Sequence, residues 1–189
     1  FIMGAVYDAE NSGKLTPGAQ ESALFQMITV SDNASANDLT KLLGDGDEAD
    51  GRSAVEAFAA SIGCKNVRYN RLMLVENGMQ NYVSAEDCAA LLRMIYTGQC
   101  VSQDASEHML ELLLGQQVND RIPQGLPKDR KVAHKTGDLL GICCADVGIV
   151  FAPEGDYLLC IICNNQAEQQ AAIQVCISIA HAADAYFSA

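Results

Sequence analysis

Apolar residues recur at helical spacing through the first two thirds of the chain. This periodicity predicts helices at residues 1–10, 21–30, 34–43, 53–62, 84–96 and 103–114. Ser84 has the character of an N-cap for the fifth of them, with Asp87 three residues later. Between the third and fourth helices, the run of Asp, Glu and Gly at residues 45–51 predicts an acidic surface loop.

The pattern changes after about residue 128. Short apolar runs predict strands at residues 131–137, 142–151 and 157–163, and the last two are joined by a turn at residues 152–156. A long apolar stripe predicts a terminal helix at residues 166–187. Helices followed by an antiparallel hairpin and a final helix predict an α+β fold. We expect one domain, with a helical lobe over about residues 1–128 and an α/β lobe over about residues 129–189.

Residues 64–83 show neither a helical nor a strand period. The segment is rich in asparagine and predicts a long ordered loop between two helices. Loops of this length inside compact domains are usually functional.

The overall charge excludes some classes of partner. The 189 residues carry 24 acidic and 12 basic side chains, a formal net charge of −12, with no basic stripe, which argues against nucleic-acid binding. The longest apolar runs are well below the roughly 18 residues of a membrane span, so no transmembrane segment is expected. The composition leaves the oligomeric state open.

The eight cysteines match no zinc-binding spacing, and no metal is expected. Cys160 and Cys163 lie three apart on a predicted strand and would therefore face opposite sides. Buried reduced thiols are the first interpretation, and one or two disulfides are the alternative.

Two short motifs could carry chemistry. The first, Ser31-Asp-Asn33, lies between two helices, where Ser31 or Asn33 would either cap the next helix or contact a substrate amide. The second is Lys135-Thr136-Gly137, at the end of the first predicted strand. Its lysine could bind a carboxylate and its glycine would allow a substrate to approach, or the lysine could be a solvated edge residue.

Together the motifs form two thirds of the signature of penicillin-recognising serine hydrolases. The sequence resembles the class A β-lactamase family and its penicillin-binding relatives over essentially its whole length. The matching stretches, in the family's order, are residues 27–37, 81–87, 134–138 and 146–156.

The resemblance implies a role for each motif residue. Ser31 would pass a proton to the leaving β-lactam nitrogen, and Asn33 would hold the acyl-amide side chain of the substrate. Lys135 and Thr136 would bind the substrate carboxylate. Gly137 would let the substrate approach, and the backbone N–H of Asp138 would contribute to the oxyanion hole. The family uses no cofactor and works outside the cytoplasm, so export to the periplasm, the cell surface or the medium is implied.

Two of the departures from the family concern its catalytic groups. No serine has a lysine three residues later, so the nucleophile and its lysine are expected upstream of Phe1. In the loop at residues 64–83, Arg71 could match the family's arginine. Glu76 is the only carboxylate there, at a shifted offset, and is either the deacylating base or a solvated side chain.

Three hypotheses follow for the function. The first is a class A-like serine β-lactamase. The second is a penicillin-binding D,D-peptidase acting on peptidoglycan-like peptides. The third is a non-catalytic fragment of the same fold that binds such ligands.

Overall fold

Six α-helices precede the first strand, in the order that the hydrophobic spacing predicts. The computed structural model describes residues 1–165 and 168–188. Within them the first six helices are α1 (Ile2–Asn11), α2 (Glu21–Thr29), α3 (Asn33–Leu43), α4 (Glu48–Ser61), α5 (Ala85–Tyr96) and α6 (Gln103–Leu114). A short 3-10 turn at Ile122–Gly125 then leads to the sheet.

The sheet is antiparallel and follows the order of the sequence. Its strands are β1 (Lys131–Leu139), β2 (Cys143–Phe151) and β3 (Tyr157–Asn164), and β2 lies in the middle. The last helix, α7, spans Gln169–Phe187. Its predicted start at Gln166 lies outside the described residues. Helices beside an antiparallel sheet confirm the predicted α+β class.

The two faces of the sheet pack against different partners. Ala133 and Ile149 belong to the same buried cluster as the cores of α1 to α6. Val150 and Cys144, with the opposite parity along β2, pack in a second cluster with α7. Because alternate strand residues face opposite sides, Lys135 shares the face of Ala133 and points towards the helices. The division into lobes near residue 128 stays a prediction.

The acidic segment at residues 45–51 is only partly a loop, so the sequence prediction was wrong there. Helix α4 begins at Glu48, five residues before its predicted start. Asp47 is its N-cap, and the Asp47 carboxylate accepts hydrogen bonds from the backbone N–H groups of Ala49 (2.7 Å) and Asp50 (3.0 Å). Carboxylates in a first turn also interact favourably with the helix dipole, so acidic residues here start a helix.

The segment at residues 64–83 is a loop, as predicted, and its ends are tied together. Arg68 and Tyr82 exchange two backbone hydrogen bonds of 2.9 Å. At the base of the loop, the buried Asp87 accepts hydrogen bonds from the N–H groups of Lys65 and Asn66, both 2.9 Å. Burial alone would raise the carboxyl pKa, but these hydrogen bonds and that from Ser84 outweigh it and lower the pKa of Asp87.

We expect Asp87→Asn to lower the free energy of unfolding by about 1–3 kcal/mol near neutral pH, because an amide has one acceptor oxygen for two N–H donors. Since the pKa of Asp87 is lowered on folding, its stabilising effect is complete above the ordinary aspartate pKa and is lost as the pH falls through the folded value. Urea denaturation at neutral and acid pH measures this, and the difference between variant and parent should shrink at acid pH. Glu86→Gln, an exposed neighbour, is the matched control, and an equal loss in both variants would contradict the prediction.

Candidate active site

A cleft of about 510 Å³ lies where β1 meets the helices. It brings together two motifs that are far apart in the sequence. Six residues singled out from the sequence line it: Ser31, Asn33, Lys135, Thr136, Gly137 and Asp138. The folded chain therefore places both motifs in one concave site, which is where small-molecule ligands usually bind.

The two motifs touch through Lys135 and Ser31. The Lys135 Nζ donates a hydrogen bond to Ser31 Oγ and another, of 2.8 Å, to the carbonyl oxygen of Thr136. Ser31 joins α2 to α3 with a φ of 60°, in the left-handed region that non-glycine residues rarely adopt. Strain of this kind concentrates at functional sites, and here the strained residue carries the hydroxyl that meets the lysine.

Asp32 is the residue that caps α3. Its carboxylate accepts a hydrogen bond of 2.6 Å from the backbone N–H of Ser35, and the interactions with Ser35 lower the pKa of Asp32. The alternative that Ser31 or Asn33 is the cap is therefore wrong. Asn33 begins the helix itself, and its exposed side chain lies at the cleft.

Gly137 leaves the cleft open beside β1. A β-carbon at this position would contact only the Ala145 Cβ, at 3.9 Å. Protein packing thus does not require a glycine here, whereas close approach of a ligand to the strand would. The next residue, Asp138, has its carboxylate held by Arg121 Nη2 (2.5 Å) and Gln169 Nε2 (2.8 Å).

Lys135 and Arg68 line the cleft of this acidic protein, and Arg121 lies behind it. Burial lowers the pKa of Lys135 to about 8. Arg121 is 1% exposed and lies behind Asp138. Its burial disfavours the charge, but contacts with Cys144, Asp138 and Asp120 outweigh this and raise its pKa. Sequence reasoning missed Arg121, because nothing in the irregular segment before the 3-10 turn distinguishes it from a surface arginine.

The long loop presents Met73 to the cleft. The Asn37 side chain holds the Met73 backbone at both polar groups, donating to the carbonyl (3.1 Å) and accepting from the N–H (2.7 Å). Immediately afterwards, Leu74 adopts a left-handed φ of 62° and turns the chain outwards. Glu76 is consequently exposed and does not line the cleft. The structure does not bring Glu76 together with Ser31 and Lys135.

Arg71 and His134 have contacts away from the cleft. The Arg71 guanidinium donates to the Met79 carbonyl and to Gln80 Oε1, both at 2.8 Å. It therefore connects two parts of the same loop. His134 is buried on the other face of β1, with Nδ1 at 2.8 Å from an Asp146 carboxylate oxygen.

None of the helices in the described residues has the length and apolar character needed to cross a bilayer. Over residues 1–165 and 168–188, no group of three or more His, Cys, Asp or Glu side chains is arranged to hold a metal ion. All eight cysteines are free thiols in the structure.

Fold and cleft define a class A β-lactamase-like protein, with an α+β architecture and one cleft at the helix–sheet junction. The model of the "Beta-lactamase enzyme family" matches residues 2–187, and the chain belongs to that family. A comparison with curated proteins found no match.

Solved structures of similar fold include penicillin-binding and β-lactamase proteins. A mutant of PBP-A, an acyl-enzyme complex with penicillin G, is 23% identical with a TM-score of 0.88, covering 99% of this chain and 78% of that one. The β-lactamase of Sphaerobacter thermophilus DSM 20745 is 24% identical, with a TM-score of 0.85 and coverages of 99% and 80%. A mutant class A β-lactamase of the last common ancestor of Gram-negative bacteria is 22% identical, with a TM-score of 0.86 and coverages of 99% and 81%. At these identities the likeness shows the fold.

We expect Lys135→Met to raise the free energy of unfolding near neutral pH by up to about 3 kcal/mol, because a charged buried ammonium is removed. The folded pKa of Lys135 is about 8, below its ordinary value of 10.5. Below pH 8 the lysine is charged in both states, and the parent protein bears the full cost of burying the charge. Between about pH 8 and 10.5 the unfolded state binds more protons, so stability of the parent rises with pH and the difference disappears.

Urea denaturation from about pH 7 to 10.5 tests this prediction. Lys131→Met, at an exposed position of the same strand, should change stability little at any pH in this range. A destabilised Lys135→Met variant at neutral pH would show that the ammonium contributes more through its hydrogen bonds than it costs by burial.

Proposed function

We propose that this chain carries the substrate-binding and proton-transfer part of a class A-like serine β-lactamase, which hydrolyses the β-lactam amide through a serine acyl-enzyme. The observation that carries the proposal is the contact of the Lys135 ammonium with the Ser31 hydroxyl inside the cleft. The penicillin G bound to PBP-A, a protein of the same fold, supports a β-lactam as the ligand class.

The polar groups of the cleft suit an anionic β-lactam. Lys135 offers a cation and Thr136 a hydroxyl, which together can bind a carboxylate. Because Ser31 Oγ accepts its hydrogen bond from Lys135, its own proton is free to be donated to the leaving nitrogen. Asn33 would bind the amide of the acyl side chain. The backbone N–H of Asp138 would stabilise the tetrahedral oxyanion, and Gly137 would leave room for the substrate.

The attacking hydroxyl is the remaining requirement of this chemistry. No serine within these 189 residues has a lysine three positions later. The proposal therefore takes the nucleophile and its base from outside the sequence described here. An exported location, at the cell envelope or in the medium, where β-lactams and peptidoglycan are encountered, is part of the same proposal.

A penicillin-binding D,D-peptidase, acting on peptidoglycan-like peptides, is the second candidate. The observation that favours it is the thioether of Met73, which lines the cleft at a position where Asn37 fixes the loop backbone. A thioether cannot act as a general base towards water. If no other group replaces it, the acyl-enzyme would form and then persist.

Intact-mass spectrometry of the purified full-length protein, in which the proposed nucleophile is present, before and after brief exposure to penicillin G, separates the hypotheses. A transient adduct that gives way to hydrolysed product supports the β-lactamase, and a stable adduct supports the penicillin-binding enzyme. A protein with a native circular dichroism spectrum and no adduct would contradict both and leave a non-catalytic binding fragment.

We expect Ser31→Ala to slow adduct formation by about 10²-fold or more, because proton transfer to the leaving nitrogen is lost. Ser22→Ala, at an exposed position of α2, is the matched control and should acylate at the parental rate. Equal rates in all three proteins would remove Ser31 from the mechanism.

Met73→Glu tests the second candidate directly. Asn37 fixes the Met73 backbone, so a glutamate there would place its carboxylate in the cleft. We expect the acyl-enzyme lifetime, followed by mass spectrometry, to shorten by about 10²-fold or more. Glu76→Gln, on the exposed part of the loop, should leave the lifetime unchanged. A longer lifetime in Glu76→Gln would instead identify Glu76 as the deacylating base.

A further inference from the structure

Three of the eight thiols converge under α7, away from the cleft. Cys144 on β2 and Cys163 on β3 are directly opposite each other in the sheet. Directly opposite residues project from the same face, and here that face is covered by α7. Cys176 of α7 is completely buried and packs in the same apolar cluster as Cys144 and Cys163. We call these three residues the thiol cluster.

The three thiols of the cluster differ in their exposure to solvent and in the groups that they contact. Cys144 is 1% exposed, and its Sγ accepts a hydrogen bond of 3.3 Å from Arg121 Nε. Cys163 is partly exposed, so it is the sulfur that a reagent in solution reaches first. Cys176, beside it, is enclosed by the helix and the sheet. Burial is the main reason that the pKa of the Cys176 thiol is raised, and the neighbouring Cys163 and Cys144 raise it further.

Strand register disfavours a bond between the two strand cysteines. Asn165 donates its N–H to the Ile142 carbonyl at 2.8 Å. Hydrogen-bonded pairs alternate along antiparallel strands, so Cys144 and Cys163 also form a hydrogen-bonded pair, in which the backbones are wider apart. The helix cysteine, which packs in the same buried cluster as Cys163, is the better partner.

We propose that Cys163 and Cys176 are an oxidative modification site, at which a low-molecular-weight disulfide converts the two thiols to a disulfide that joins β3 to α7. The Cys163 thiolate attacks one sulfur of the reagent RSSR, forming a mixed disulfide and releasing one RS⁻, which takes up the proton of Cys163. Cys176 then attacks the Cys163 sulfur and releases the second RSH. Two protein thiols lose two electrons and two protons, and the reagent is reduced to two RSH.

The product has a measurable physical consequence. The disulfide would close a short loop and restrict the unfolded chain, which stabilises the folded state. It would also fix α7, the helix whose Gln169 holds the Asp138 carboxylate at the cleft. We expect the melting temperature to rise by about 5 °C or more.

The experiment incubates the purified native protein with oxidised glutathione, quenches it with acid and alkylating agent, and maps the disulfides by peptide mass spectrometry. We expect a product lighter by two hydrogens with a Cys163–Cys176 crosslink, and its reversal by dithiothreitol. Cys163→Ala and Cys176→Ala should each abolish the crosslink. Cys160→Ala, on the same strand but in the cluster on the other face of the sheet, is the matched control and should retain it.

Three results would overturn the proposal. The first is a stable glutathione adduct on Cys163 with no internal crosslink. The second is a crosslink that maps to Cys144. The third is a native protein, by circular dichroism, that keeps all eight thiols after oxidation. Because Cys163 is partly exposed, Cys163→Ala keeps the test valid if the buried variant Cys176→Ala fails to fold.

Discussion

The contact between the Lys135 ammonium and the Ser31 hydroxyl is the interaction on which the rest of the site depends. It joins residues 104 positions apart and requires that the helix-facing side of β1 lie directly against the corner between α2 and α3. Both partners are unfavourable on their own: burial lowers the pKa of Lys135 to about 8, and Ser31 has a left-handed backbone. The shared core of the helices and the sheet must therefore supply the stability that holds them together.

The charges behind β1 make this arrangement possible. Asp146 and Asp138 favour the charged form of Lys135, although burial dominates. Arg121 in turn forms a salt bridge with Asp138. This cleft-lining carboxylate is therefore already paired with a cation behind the strand. In the proposed function, a substrate carboxylate arriving at Lys135 and Thr136 would meet a cation whose neighbouring anion, Asp138, is already paired. The cleft lining balances two cations, Lys135 and Arg68, against two carboxylates, Asp32 and Asp138, in a protein whose net charge is −12.

The sequence was sufficient for features that depend on local periodicity or on a motif. The helices and strands follow from spacing, and the two motifs identified Ser31 and Lys135 because their residue types and order are distinctive. Asp47 was misjudged because aspartate favours both turns and helix N-caps, and only the following backbone distinguishes them. The sequence could not show whether Glu76 or Met73 faces the cleft. The left-handed backbone of one residue, Leu74, decides which side chain points inwards. Arg121 and the thiol cluster depend on strand register and helix packing, which no spacing within one segment reveals.

The contacts that fix the loop at residues 64–83 are made to its backbone, and they do not involve the side chain that the loop presents to the cleft. Asn37 binds only backbone atoms of Met73, Arg68 and Tyr82 close the loop through backbone groups, and Asp87 secures its base through backbone N–H groups. None of these contacts depends on which side chain residue 73 carries. A single position can therefore hold a thioether or a carboxylate in the same place. In the proposed function, binding and acyl transfer would then depend on Ser31 and Lys135, and the lifetime of the acyl-enzyme would depend separately on residue 73.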